Sequence, residues 1–428
     1  MTIYEPKVIN LGETIAITGD KTLIFATLLE FDKEKNKIFA EVQKSFNNLN
    51  YDGLCCRADK DTLSVTLIPT TRCNLRCIYC YSDGGFDNKD LSFKYAKHVL
   101  DNLMNEYKDS KKINLYFAGG GEPLLNFSFI RDIVQYVRDK GLEPNIRIVT
   151  NGTLIEDYLD WLKSNKVYLR ISYDGSSQQE TRPGIYFDSQ KKLHHVFNIL
   201  KAEYPSDLLS VQMTITTLNV SSLTSDVLKL ISQYGINVIK IEPVQSSCSS
   251  RSKKVDRPSP KFFVDSFLKL CDSLIKNRIK AYIDTSYLSV PSVGYFCSLR
   301  NKIVISPYGL LTPCVEIIKR GVRDNIILWE INKNKKINFQ KIREIQKRNL
   351  FKYHPQNFKI CSNCNLVHIC KGNCPMRLIL ENKTQGPYAY NCTIAKKLIP
   401  AFLLRASLNE NYLYLVFGKN FEVEEKCD

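Results

Sequence analysis

A chain of 428 residues, 44% hydrophobic and 24% charged, is too long for one ordinary core and has the make-up of a soluble globular protein, which excludes fibrous and disordered classes. Its formal charge of +16 raises nucleic acid as a partner, yet the lysines are scattered, as in KNKKINFQKIREIQKR, and read as a solvated surface that would also suit an acidic peptide. No run of about 18 apolar residues occurs, so no conventional membrane span is expected.

Residues 1–62 form a weakly patterned extension that holds the vicinal pair Cys55 and Cys56. Its opening, MTIYEPKVINLGE, lacks the basic and apolar regions of a secretion signal, so a cytoplasmic location is expected. From about residue 63, SVTLIP, INLYFA, IRIVT, YLRISY, VQMTITT and INVIKIEP predict six strands. Helical segments separate them; LSFKYAKHVLDNLMNEY puts Ala96, Val99, Leu100, Leu103 and Met104 on one face. Six strand and helix units call for a parallel, right-handed α/β arrangement, short of the eight that close a full barrel. CSSRSKKVDRPSP then reads as a linker and KFFVDSFLKLCDSLIKN as one amphipathic helix, while KIVISPYGLLTPC predicts a hairpin. The expected units are an extension (1–62), an α/β unit (63–250), a linker and bridging helix (251–296), a cysteine-rich unit (297–396) and a C-terminal helix and tail (397–428).

Fifteen cysteines in a chain with no secretion signal point to metal, because the cytosol keeps thiols reduced. Three of them, Cys73, Cys77 and Cys80, fall in TTRCNLRCIYCYSDGG directly after the first strand. Three thiolates leave one position of a four-ligand metal centre open, where a substrate or cofactor binds. At the second strand end, YFAGGGEPLL supplies Gly120 and Gly121, which let backbone approach a ligand closely, and Glu122, which complements an ammonium. VTNGTL offers Asn151, and ISYDG offers Ser172 and Asp174, followed by Arg182. Successive strand ends are where open α/β folds bind ligands. The plainer alternatives are a tight turn at Gly119 to Gly121, a turn pair at Asp174-Gly175 and a helix cap at Arg182. Seven further cysteines follow: Cys297, Cys314, Cys361, Cys364, Cys370, Cys374 and Cys392. A zinc knuckle in CSNCNLVHICKGNC would use four of these and strand three.

The spacing Cys73-X3-Cys77-X2-Cys80 resembles the cluster loop of the radical S-adenosylmethionine (radical SAM) superfamily, and the later cysteines resemble its SPASM extension, over roughly residues 63–396. The resemblance implies a partial (β/α)6 TIM-type barrel, followed by a C-terminal cysteine-rich SPASM domain with a β-hairpin and two auxiliary clusters. It implies three [4Fe–4S] clusters and S-adenosylmethionine. The catalytic cluster would sit on Cys73, Cys77 and Cys80, one auxiliary cluster on Cys361, Cys364, Cys370 and Cys392, and three corners of the other on Cys297, Cys314 and Cys374. The missing corner would be open or filled by Cys248, Cys271, Cys427 or a substrate thiolate. Carried over from the family, Tyr79 lies at the adenine, Gly120, Gly121 and Glu122 at the amino group, Asn151 nearby, Ser172 at the ribose and Arg182 at the carboxylate.

The implied activity is reductive cleavage of S-adenosylmethionine to a 5′-deoxyadenosyl radical, which modifies a ribosomally made precursor peptide through a thioether or carbon–carbon crosslink. A low-potential donor such as flavodoxin or ferredoxin is the implied redox partner. Sixty-two residues are short for the winged-helix-like leader-binding domain that many peptide maturases carry upstream. One alternative is an anaerobic sulfatase-type maturase that oxidises a residue in a protein. That type places an aspartate base after the cysteine matching Cys314, where this chain has Val315; Glu316, one place on, would substitute only if the strand register shifts, because adjacent strand residues face opposite sides. A non-catalytic iron–sulfur electron carrier is the alternative from another class, and it has no need of a Gly-Gly-Glu segment.

Overall fold

The computed structural model describes residues 6–19, 22–47, 62–245, 255–292, 302–319, 327–332, 335–351, 353–372, 374, 378 and 389–418. The expected ligand Cys297, and Cys55, Cys56, Cys248 and Cys427, lie outside these residues.

The weakly patterned N-terminal extension is a folded unit. Strands β1 (Lys7–Asn10), β2 (Thr14–Thr18) and β3 (Leu23–Thr27) pair antiparallel in that order and lead into helix α1 (Leu28–Asn47). A tight turn joins the first two strands: Gly12 takes φ +103°, and its N–H donates to Asn10 Oδ1 at 2.8 Å. Ile15, Ile17 and Ile24 of the sheet and Ile38 and Val42 of α1 share one buried cluster with Phe358, Cys361, Val367 and Leu378. A buried contact between Thr18 Oγ1 and His368 Nδ1 at 3.0 Å and a bond from Lys7 Nζ to the Ser362 carbonyl at 3.3 Å fix the same seam. The beginning of the chain is thus packed against its distant cysteine-rich segment.

All six expected strands are present: β4 (Thr62–Leu67), β5 (Lys112–Phe117), β6 (Glu143–Thr150), β7 (Tyr168–Ser172), β8 (Leu209–Ile215) and β9 (Val238–Pro243). They are parallel and adjacent in chain order. Helices α2 (Phe93–Glu106), α3 (Phe127–Asp139), α4 (Leu159–Ser164), α5 (Ser189–Glu203) and α6 (Leu223–Tyr234) form the crossovers. The predicted face of α2 is buried at Ala96, Val99, Leu100 and Leu103, with Met104 packed at its edge.

The sheet is wider than the pattern predicted. A three-residue strand, β10 (Tyr282–Asp284), adds in parallel beside β9, after helix α7 (Pro260–Lys276). At the opposite edge β11 (Val304–Ile305) adds in parallel to β4 and turns back antiparallel as β12 (Leu310–Thr312), followed by β13 (Trp329–Glu330). The β11–β12 turn is the expected hairpin, closed at Gly309, whose φ of +72° suits glycine. Helix α8 (Phe339–Phe351) follows, and helix α9 (Ala389–Leu408) packs on α7, where Arg405 pairs with Asp272 at 2.7 Å. Among the described residues no helix is long and apolar enough to cross a membrane.

Alternation divides the parallel strands into two faces. Ile113, Leu115 and Phe117 of β5, Leu169 and Ile171 of β7, and Ile239 and Ile241 of β9 are buried in the main core. The opposite face, with Asn114, Tyr116, Arg170, Ser172, Gln212 and Lys240, lines a cavity of about 1890 Å³.

A candidate cluster and cofactor site at the strand ends

The loop after β4 is folded by its own arginine. Arg76 donates to the carbonyls of Cys73 (2.8 Å), Leu75 (2.9 Å) and Gly85 (3.1 Å), gathering both arms of the cysteine loop. Backbone bonds from Arg76 N to Pro183 O and from Ile78 N to Thr181 O, both 2.9 Å, tie it to the segment after β7. Cys73, Cys77 and Cys80 are half-buried and line the cavity. Burial pushes the Cys73 thiol to about 11 and the Cys77 thiol to about 12; Glu122 and Cys80 raise Cys73 further, and Cys80 and Cys73 raise Cys77. Cys73 and Cys77 are therefore neutral thiols by themselves, and a cationic metal core is the kind of partner that would hold them as thiolates.

The glycines after β5 fit this loop with no room to spare. Gly119 and Gly120 adopt φ of +90° and +72°. A methyl group on Gly121 would overlap the carbonyl oxygen of Arg72, and one on Gly84 would lie 2.8 Å from the Gly120 carbonyl oxygen. Backbone is pressed on backbone here, leaving the cysteine side chains facing the cavity.

Glu122 is fully buried, and its carboxylate accepts from Leu124 N–H (3.1 Å), Thr150 Oγ1 (2.7 Å) and Asn151 N–H (2.7 Å). Burial raises it to about 7 despite these three donors. Asn151 is buried beside it, donating to Asn74 Oδ1 at 2.8 Å and accepting from Thr153. The two expected cofactor residues thus lock the β5 and β6 ends together, and both line the cavity.

Asp174, offered by the sequence at the fourth strand end with a turn pair as the plainer alternative, is a buried hub. Its carboxylate accepts from Tyr79 Oη, from Thr181 Oγ1 (2.8 Å), from Arg182 Nε (3.0 Å) and from Thr214 N–H (2.9 Å). Arg182 is thereby fixed with Nη2 3.3 Å from Thr214 Oγ1, Nη1 4.0 Å from Cys77 Sγ, and its guanidinium 5.1 Å from the Tyr79 ring centre. Tyr79 and Arg182 thus form one unit behind the cysteine loop, and Ser172 lines the cavity nearby. The donors to Asp174 come from three separate segments, the cysteine loop, Thr181-Arg182 and β8, so its role as a hub arises only in the fold.

Two more cysteine groups emerge beyond the parallel strands. Burial raises Cys361 to about 12, with Cys370, Cys364 and Cys392 as its electrostatic neighbours. Cys314 is likewise raised to about 12 by burial, with Glu316 and Cys374 as neighbours, and Cys314 itself lies beside the β12 end. Cys374 lines the main cavity. Cys271 stands apart on α7 in the apolar core, where burial holds its thiol well above the ordinary range. Among the described residues no three Cys, His, Asp or Glu side chains are grouped so as to hold a single metal ion. The expectation that Val315 and Glu316 face opposite sides is corrected: β12 ends at Thr312, both residues lie in the following turn, and both line the cavity.

Residues 67–219 match the model of the Radical SAM superfamily, spanning the cysteine loop and the strand ends that surround it. The chain carries a radical SAM domain. Such a domain implies one [4Fe–4S] cluster and S-adenosylmethionine. The chain is 44% identical over 109 residues to an uncharacterised protein of Methanocaldococcus jannaschii, covering 25% of this chain and 36% of that one. It is 31% identical over 140 residues to a cysteine-type anaerobic sulfatase-maturating enzyme of Clostridium novyi, covering 31% and 37%. Only about a third of each curated relative is therefore spanned. Two solved structures share the fold more widely. anSMEcpe with bound AdoMet superposes with a TM-score of 0.65 at 18% identity, over 82% of this chain and 95% of that one. Streptococcus suis SuiB bound to precursor peptide SuiA gives 0.59 at 14% identity, over 91% and 98%.

Proposed function

We propose that the chain is a radical SAM peptide maturase, with its catalytic cluster on Cys73, Cys77 and Cys80 and auxiliary clusters held by the two later cysteine groups. The observation that carries this reading is one continuous cavity, which is bordered by the cysteine loop, the Gly119 to Glu122 segment, Cys374 and the polar face of the barrel. An electron carrier has no use for so large a chamber beside its cluster. Similarity to a protein solved with AdoMet and to one solved with a precursor peptide supports the same reading.

The residues fit the implied groups in their chemistry: three thiols on one loop, and beside them a glycine cradle that a side chain would fill. When bound, the cluster and S-adenosylmethionine supply one-electron cleavage and hydrogen-atom abstraction. The protein's part is positional. Gly120 and Gly121 bring backbone close, Glu122 offers a carboxylate to an ammonium, and Asp174 fixes Arg182 for a carboxylate. The surrounding walls keep the substrate oriented. The bond formed is a crosslink in this reading.

A second reading, oxidation of a residue as in sulfatase maturation, is favoured by one observation. Glu316 lines the cavity two residues after Cys314 and supplies the carboxylate base that Val315 lacks. Anaerobic reconstitution tests the common core: about twelve iron and twelve sulfide per chain are expected, together with 5′-deoxyadenosine formation. About four iron with stoichiometric zinc would remove the auxiliary clusters. Mass spectrometry of the peptide product separates the readings, since a crosslink removes two hydrogens with both side chains joined and oxidation leaves one altered residue.

A further inference from the structure

The polar face inside the sheet carries charge that the chemistry at the strand tips does not use. In a closed TIM barrel this interior is filled by branched apolar side chains. Here the strand register stacks polar rungs instead. Toward the N-terminal ends of the strands, Ser64, Asn114 and Asn145 stand side by side and are joined by bonds of 3.0 and 3.1 Å. One rung higher Arg147 lies in register between Tyr116 and Tyr168, its guanidinium 5.7 and 5.1 Å from their ring centres. One rung above that, Arg170 is half-buried on the cavity wall, with only the Ser210 hydroxyl near its Nε, at 3.5 Å. Ser172 is two residues further along β7, about 7 Å by strand rise.

Two other cations that line the cavity are matched. Arg182 has Asp174, and Lys240 lies 3.3 Å from Glu242 and 3.0 Å from Asp284. Among the described residues, neither Arg147 nor Arg170 has a carboxylate partner. Arg147 is exposed, whereas Arg170 is half-buried on the cavity wall; a guanidinium partly withdrawn from water without an anion is costly, and the planar fork of either arginine fits a carboxylate in two-point contact. Stacking between two rings holds Arg147 in place before any ligand arrives, which lowers the ordering cost of binding.

We propose that Arg147 and Arg170 bind an aspartate or glutamate side chain of the peptide substrate, so that the enzyme acts on an acidic segment held just below the strand tips. This rests on the peptide-maturase reading and adds to it a substrate class and two specificity residues. The overall positive charge of the chain would draw the same segment in.

The test uses the anaerobically reconstituted full chain and fluorescence anisotropy with two labelled synthetic peptides, one of alternating Gly and Glu and one of alternating Gly and Gln. GTP serves as a polyphosphate competitor. The Glu peptide is expected to bind roughly tenfold or more tightly than the Gln peptide, and Arg147→Gln and Arg170→Gln each to weaken it by about tenfold. Arg170→Lys, which keeps the charge but not the fork, should fall between. If a glutamine variant loses its far-UV circular dichroism, the lysine variants at both positions carry the comparison. Equal binding of the two peptides, or unchanged affinity in the variants, overturns this inference and leaves the peptide reading intact. Binding of neither peptide by a wild-type protein that still cleaves S-adenosylmethionine overturns both. Tighter binding of GTP, weakened by the same substitutions, would assign the arginines to phosphate instead and overturn the proposal.

Discussion

Glu122 makes the stability of the strand ends depend on pH in a direction that can be worked out. Its carboxyl is raised from 4.5 to about 7 by burial, so the folded chain holds this proton over a range in which the unfolded chain has released it. Its contribution is therefore fully present below about pH 4.5 and is lost as pH rises through about 7. At about 1.36 kcal/mol per pH unit, the interval corresponds to about 3 kcal/mol. Glu122→Gln removes the titration. It also puts an amide NH2 among three donors, Leu124 N–H, Thr150 Oγ1 and Asn151 N–H, at a cost of about 1–3 kcal/mol. Wild type should accordingly be the more stable at pH 5, and its lead should shrink by about 2.5 kcal/mol by pH 8. Urea unfolding of both proteins under anaerobic, reducing conditions across this range provides the comparison, because pH effects from all other groups cancel in the difference. Parallel stability profiles would refute the reasoning. If Glu122 also receives the ammonium of S-adenosylmethionine, binding favours its ionised form, so calorimetry below pH 7 should register proton release and tighter binding as pH rises toward 7.

Asp174→Ala leaves the buried Arg182 guanidinium without its anion and should destabilise the protein by about 3–5 kcal/mol, read as a fall in urea midpoint, with weaker S-adenosylmethionine binding by calorimetry. Gly121→Ala forces a methyl group onto the Arg72 carbonyl; it should cost about 1–3 kcal/mol or more and abolish 5′-deoxyadenosine formation in a chromatographic assay. Replacing Cys73, Cys77 and Cys80 together with alanine should lower iron from about twelve to about eight per chain and eliminate cleavage of S-adenosylmethionine, with the remaining iron visible in the absorption spectrum.

The barrel strands were legible because each carries enough β-rich, apolar residues to mark itself between amphipathic helices. Strands β10 to β13 were harder to read, being two or three residues long; β10 and β11 exist because the edges of β9 and β4 offer unpaired backbone. The N-terminal unit was underestimated although TIAIT and LIFAT are strand-like, since the surface that completes its core, including Phe358 and Val367, lies over 300 residues away. At the site, the cysteine spacing and Gly-Gly-Glu segment stood out because their chemistry is local. Asp174 was offered at its strand end, but its role as a hub was not legible, for its four donors meet only in the fold. The reading of Val315 and Glu316 failed for a different reason, because β12 is shorter than the run KIVISPYGLLTPC suggested.

The parallel pairing of β11 with β4 has a consequence for how the protein is made. The two partners are separated by roughly 240 residues, which at about 5–20 residues per second occupies the ribosome for tens of seconds. Throughout that interval β4 offers a bare edge, and such edges recruit foreign strands. Residues 62–245 expressed alone would keep that edge permanently, so the radical SAM domain excised from this chain should aggregate where the full-length protein stays dispersed.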